Sequence, residues 1–181
     1  MAAFISRRRV GRALLCLGLG ASLLASARTP GELQIGDVLP NVTLRGLNGP
    51  SRPLAQYRGR PLLINVWASW CEPCLREMAS LERLAWREDR PAFSLIGIST
   101  DDYPDKALAF LNRSNATIRQ FIDHDLQMET LLGASKIPLT VLVDANGRVL
   151  DKIYGAREWD SPESLQLISK TFHGHKAAAA R

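Results

Sequence analysis

The hydrophobic pattern is densest between Pro61 and Trp67, where PLLINVW forms an apolar run with β-formers at Ile64, Val66 and Trp67. Gly59-Arg60-Pro61 bounds it upstream. Such a run predicts a buried central strand. Leu75, Met78, Ala79 and Ala85 then recur at helical spacing, and Pro73 suits a first turn in which its missing N–H costs nothing. This helix is expected to fade near Asp89-Arg90-Pro91, with Phe93 to Ile98 as the next apolar strand. The succession β-α-β is the core of a parallel pairing.

Before this unit, Val42-Thr43-Leu44 and Ser51-Arg52-Pro53-Leu54 flank a turn-rich stretch from Gly46 to Pro50, which predicts a small β-hairpin. After it, Thr100-Asp101-Asp102 is expected to cap a helix whose apolar stripe is Ala107, Leu108, Phe110 and Leu111. Thr117 to Ile122 reads as an extra strand, and Leu126 to Leu132 as a short helix ending at Gly133. Thr140 to Asp144, Asn146-Gly147 and Val149 to Tyr154 give the clearest hairpin, because Asn-Gly accepts the positive φ angles of a tight turn. Ser161-Pro162-Glu163 starts a last helix that is expected to end near Phe172. Residues 173–181 read as a flexible tail, in which His173 and His175 are solvated.

The amino terminus changes the meaning of the charge. The chain carries 23 Lys and Arg against 18 Asp and Glu. Arg7, Arg8, Arg9 and Arg12 are four of those cations, and no acid lies within residues 1–27, so 19 remain against 18 beyond them. The surplus therefore belongs to a segment with the form of an export signal: a basic start, an uncharged run from Ala13 to Ala27, and Ala25-Ser26-Ala27 as a small-x-small cleavage site. Cleavage after Ala27 is the first reading, an uncleaved membrane anchor the second, and a twin-arginine route stays open. Residues 28–35 read as a linker and 36–172 as one domain with one core. No basic patch for nucleic acid is implied, and a periplasmic or other extracytoplasmic location is expected.

The candidate chemistry sits where the central strand hands over to its helix, at Cys71-Glu72-Pro73-Cys74. A first helical turn leaves N–H groups without partners and concentrates partial positive charge, which favours a thiolate there. Cys71 is thus expected to be the nucleophile, and Cys74, one turn further in, the less exposed sulfur that attacks the disulfide formed at Cys71. A structural disulfide closing so short a loop gains only about 2 kcal/mol in the chain-entropy picture. A zinc site lacks a second ligand pair, since Cys16, His124, His173 and His175 are the only other Cys and His residues. Glu77 lies three positions after Cys74, on the same face. Spacing alone leaves two roles for it: a proton partner of the inner sulfur, or a solvated acid paired with Arg76 or Arg83.

The run Trp67-Ala68-Ser69-Trp70-Cys71-Glu72-Pro73-Cys74 followed by Glu77 resembles the thioredoxin superfamily, and within it the TlpA/ResA/CcmG group of thiol-disulfide oxidoreductases. Lys136 to Asp144 is similar to that group's cis-proline loop and the strand after it, although Leu139 stands where a threonine is more usual. The resemblance covers about residues 36–168. It implies an α/β thioredoxin-like fold, a central mixed sheet flanked by helices, with an N-terminal β-hairpin extension and a central insertion. It also implies that Glu77 assists the thiol chemistry. Pro138 would be cis and packed against the sulfurs, with Trp70 and the backbone of Ile137 meeting a bound polypeptide.

The implied activity is reduction of partner-protein disulfides by a monomer with no metal and no dissociable cofactor. A membrane thiol donor would re-reduce it, and apocytochrome c or a copper-site assembly protein would be the partner. Glu72, a negative charge beside the Cys71 thiolate, points to a reductant. Two other classes stand beside this reading. A thioredoxin-fold peroxidase calls for a Pro-x-x-x-Thr-x-x-Cys setting, which the residues before Cys71 do not supply. A copper-binding chaperone would join the cysteine pair to a distant histidine, for which His124 is the mid-chain candidate.

Overall fold

A computed structural model describes residues 30–89 and 92–179, with side chains through residue 174. The proposed export segment lies outside the described residues. No helix among the described residues is long and apolar enough to cross a membrane.

The elements in chain order are β1 (Thr43–Gly46), β2 (Arg52–Pro53), a 3-10 turn (Leu54–Tyr57), β3 (Leu62–Trp67), α1 (Glu72–Trp86) and β4 (Ser94–Ser99). They continue with α2 (Pro104–Arg113), β5 (Arg119–Ile122), α3 (Gln127–Leu132), β6 (Leu139–Val143), β7 (Val149–Tyr154) and α4 (Pro162–Ala179). The strands form one seven-stranded mixed sheet in the order β2-β1-β5-β4-β3-β6-β7. The apolar run forms β3, buried at all six positions, paired parallel with β4 and antiparallel with β6. The expected N-terminal hairpin is β1 with β2, and β1 joins the main sheet by pairing antiparallel with β5.

Register fixes what meets at the edge of the sheet. Trp67 is opposite Ser99 in the parallel pair, so the loops after β3 and β4 leave the sheet side by side. The Thr100 N–H donates to the Trp67 carbonyl at 2.9 Å. Val66 is opposite Leu139 in the antiparallel pair, so Pro138 enters β6 at that same edge.

Side chains alternate between faces along β3. Leu62, Ile64 and Val66 join a core with Met128 and Leu132 of α3, whereas Leu63 points into the core made with Leu81 and Leu84 of α1 and Ile168 and Phe172 of α4. Asn65 and Trp67 share the Leu63 face, so a polar side chain lies beneath α1. The buried stripe of α1 holds Cys74, Glu77, Met78, Ser80, Leu81 and Leu84. It is rotated from the stripe expected from sequence: Ala79 is exposed and Leu75 and Ala85 are only half-buried.

Three local expectations are corrected. The first residue flanking α2 is Tyr103, which makes no side-chain cap, because the Asp101 carboxylate is engaged elsewhere and Pro104 opens the helix. In the β6–β7 turn Gly147 alone takes a positive φ; Asp144 Oδ1 accepts from the Asn146 and Arg148 N–H groups instead. That arrangement closes a longer turn than a two-residue Asn-Gly loop. The last helix, capped by Ser161 Oγ accepting from the Ser164 N–H at 3.2 Å, continues to Ala179, beyond the expected end at Phe172.

Candidate active site

Cys71 is the residue flanking the first turn of α1, with extended backbone (φ −87°, ψ 93°) and Pro73 within that turn. Its Sγ accepts from the Cys74 N–H at 3.3 Å, the bond through which a helix start stabilises a thiolate. Cys71 and Cys74 are joined as a disulfide. Cys71 is 5% exposed and Cys74 0%, which matches the expected order of outer and inner sulfur. Around them pack Trp67, Ala68, Met78, Ala107 and Leu111. Trp70, one position before Cys71, is 71% exposed.

The bond between Ile137 and Pro138 is cis. Pro138 is buried, and the half-buried Ile137 side chain packs on the cluster that contains both cysteines. Among the described residues none hydrogen-bonds the main chain of Ile137; the Pro138 carbonyl accepts from the Gly155 N–H at 2.9 Å.

Glu77 is 1% exposed and is not a solvated acid. The cations once available to it are engaged elsewhere: Arg76 pairs with Glu72 at 2.9 Å, and Arg83 with Glu158 and Asp160 at 3.0 and 2.6 Å. Its Oε1 accepts from Asn65 Nδ2 at 2.7 Å, and its Oε2 from the Arg157 N–H and Trp159 Nε1, both at 3.1 Å. Burial raises its pKa above the ordinary carboxylate value, and these three donors offset part of that rise. A carboxyl group so placed, one turn beyond Cys74 on the buried stripe of α1, keeps its proton to higher pH than a surface acid does.

Sequence reasoning missed the groups that hold Glu77. Asn65 also donates to Thr140 Oγ1 at 3.1 Å, so β3, β6 and α1 are tied together beneath the cysteines. Its polarity inside an apolar run was the visible signal. Trp159 had no local signal, since only the tertiary fold brings it to α1. Gln120 was missed as well: its Oε1 accepts from Trp67 Nε1 at 2.9 Å, and its side chain crosses Gly97, where a Cβ would stand 1.9 Å from that oxygen. His124 is exposed beside Asp125, and among the described residues no three His, Cys, Asp or Glu side chains gather as a metal site. His124 is therefore not brought to the cysteine pair.

Comparison with known proteins agrees with this geometry. The Redoxin family pattern matches residues 34–168. The chain is 29% identical over 143 residues to the thiol-disulfide oxidoreductase ResA of Geobacillus thermodenitrificans, covering 78% of this chain and 82% of that protein. It is 33% identical over 131 residues to the thiol:disulfide interchange protein DsbE of Vibrio cholerae, covering 69% of each. Among solved structures, a candidate DsbE from Chlorobium tepidum superposes with a TM-score of 0.70 at 26% identity, over 77% of this chain and 99% of that one. StoA from Bacillus subtilis, at 15% identity, shares the fold with a TM-score of 0.63 over 74% of this chain and 99% of that one. With the Cys71–Cys74 pair at the start of α1, these matches show that the chain belongs to the Redoxin family, as a TlpA/ResA/CcmG-like thiol-disulfide oxidoreductase of the thioredoxin superfamily.

Proposed function

We propose that the protein reduces disulfides of partner proteins outside the cytoplasm. The observation that carries this reading is the cysteine pair at the start of α1 with the buried Glu77 carboxyl one turn further in. In the reduced protein the Cys71 thiolate attacks one sulfur of a partner disulfide, forming a mixed disulfide and releasing the partner's first thiolate. Cys74 gives its proton toward Glu77 and attacks Cys71 Sγ. The mixed disulfide breaks, the partner's second sulfur leaves and takes up a proton, and Cys71–Cys74 is oxidised. Two electrons have passed to the partner.

In this reading Trp70 and the unpaired main chain of Ile137 receive the partner's extended backbone, with Pro138 shaping the wall beside the sulfurs. The segment 1–27 exports the chain or tethers it, a membrane thiol donor returns the electrons, and apocytochrome c or a copper-site assembly protein takes them. Insulin reduction by wild-type protein but not by Cys71→Ser tests the chemistry. Partner trapping with Cys74→Ser in the intact cell envelope identifies the recipient.

The direction of transfer is reductive. The sole hydrogen bond to Cys71 Sγ among the described residues comes from a main-chain N–H, so no cation stabilises its thiolate in the way a strong oxidant requires. The Glu72 charge is offset by Arg76 and adds less to this than the sequence suggested. Equilibration with glutathione should place the pair nearer about −270 mV than about −120 mV. A potential above about −180 mV would make the protein an oxidase or isomerase and defeat the reductant reading.

A further inference from the structure

Asp101 is a buried acid for which the exchange cycle has no use. It follows β4, is 3% exposed, and pairs with no cation among the described residues. Its Oδ2 accepts from the Ser69 N–H at 2.8 Å and from Ser99 Oγ at 2.6 Å, and its Oδ1 from Ser69 Oγ at 2.6 Å. Ser99 Oγ in turn accepts from the Asp101 N–H at 3.1 Å, which commits the serine proton to the carboxylate. Hydrogen bonds to a carboxylate are about twice as strong as neutral ones, so this is a firm anchorage.

What it anchors is the turn that presents the site. Ser69 lies between the end of β3 and Cys71, and the turn closes with the Cys71 N–H on the Ala68 carbonyl at 3.1 Å. Trp70, the next residue after Ser69, has no hydrogen bond of its own among the described residues and projects into solvent. The anchorage of Ser69 on one side and Cys71 on the other therefore hold the backbone that carries its ring. Cys71, in contrast, is fixed independently by α1 and by packing against the buried cluster of Trp67 and Met78.

We propose that Asp101 is a positioning residue for disulfide exchange: by holding Ser69 to the end of β4, it fixes Trp70 as a platform for the protein partner beside Cys71. The proposal rests on the exchange reading above. It separates large substrates from small ones, because a small reagent reaches Cys71 without needing the platform.

The test compares wild type, Asp101→Asn, Ser69→Ala and the double variant. An asparagine cannot accept from all three donors at once, so KM for insulin should rise about tenfold, the equivalent of one lost charge-assisted bond. Alkylation of reduced Cys71 by iodoacetamide should stay within about twofold of wild type, because the lost bond does not touch its sulfur. Amide hydrogen exchange at Ser69 should quicken by about tenfold or more, since its N–H loses its carboxylate. Ser69→Ala should give a smaller rise in KM and should add little to Asp101→Asn. An unchanged KM, equal losses for insulin and iodoacetamide, or unaltered amide exchange would each overturn the proposal. Should Asp101→Asn not fold, Ser69→Ala carries the same comparison. Failure of wild-type protein to reduce insulin would count against the exchange reading, whereas amide exchange reads the anchorage by itself.

Discussion

The indole Nε1–H of Trp159 donates to Oε2 of Glu77 at 3.1 Å, although the two residues are 82 positions apart in the chain. Both side chains are fully enclosed, and Trp159 also forms part of the core between α1 and α4. A buried donor thus shapes the properties of an acid next to a redox pair. Trp159→Phe keeps the ring and removes the donor. Unfolding free energy should fall by about 1.5–3 kcal/mol, the usual worth of a hydrogen bond to a charged group, measured in urea at neutral pH. Loss of the donor should also raise the Glu77 pKa further. No change in stability would mean that the indole bond is dispensable.

Glu77 should leave a signature in the pH dependence of stability. Its folded pKa is raised, chiefly by burial, so the folded state holds the proton more tightly than the unfolded chain. Below the ordinary glutamate value both states are protonated and the group contributes nothing. As pH rises above that value the unfolded chain ionises first, and stability declines until the folded pKa is passed. Glu77→Gln cannot titrate and should flatten this decline; thermal melts from about pH 4 to about pH 8 compare the two. The same variant should alter the pH profile of disulfide exchange. Parallel curves in both measurements would remove Glu77 from the proton path.

Reduced protein should react first at Cys71. Its thiol, at the start of α1, is expected to titrate below the free-thiol value of about 8.5, whereas Cys74 is enclosed. Iodoacetamide followed by peptide mass analysis reads the order directly. Modification of Cys74 ahead of Cys71 would reverse the assignment of roles.

Gly97 should not tolerate alanine. A Cβ there would stand 1.9 Å from Gln120 Oε1, the acceptor for the Trp67 indole, so the amide must move and the bond must break. Overpacking of this kind costs about 1–3 kcal/mol. Gly97→Ala combined with Gln120→Ala should cost less than the two variants added together, because the second substitution relieves the first. Simple additivity in urea melts would show that the side chain does not cross β4 as described.

Much of the fold could be read from the chain because its signals are local. The β3 run, the proline in the first turn of α1, Gly133 after α3 and the β6–β7 hairpin each carry their own evidence in adjacent residues. The cysteine pair was legible for the same reason. Asp101 was misread because an acid ahead of a proline-led helix looks like a cap, and only the parallel register of β3 and β4 turns it toward Ser69. Spacing left Glu77 open between a proton partner and a solvated acid because an apolar count along α1 omits the buried Glu77 and Ser80, which rotates the apparent inner face. Asn65 from β3 and Arg157 and Trp159 from the segment before α4 converge on one acid, Thr140 of β6 accepts a second hydrogen bond from Asn65, and no spacing rule connects them.

That convergence limits how far the reactive motif can travel. A peptide or fragment ending near residue 89 would carry Cys71, Cys74 and Glu77 together with β3 and α1, but it would lack Asp101, Thr140, Arg157 and Trp159. In such a piece Glu77 would be an ordinary hydrated acid and the turn before Cys71 would have no tether. Grafting the four-residue motif onto a foreign helix would transfer two thiols without their chemistry. The unit that can be transplanted is the meeting of the ends of β3 and β4, the start of β6, α1 and the segment before α4.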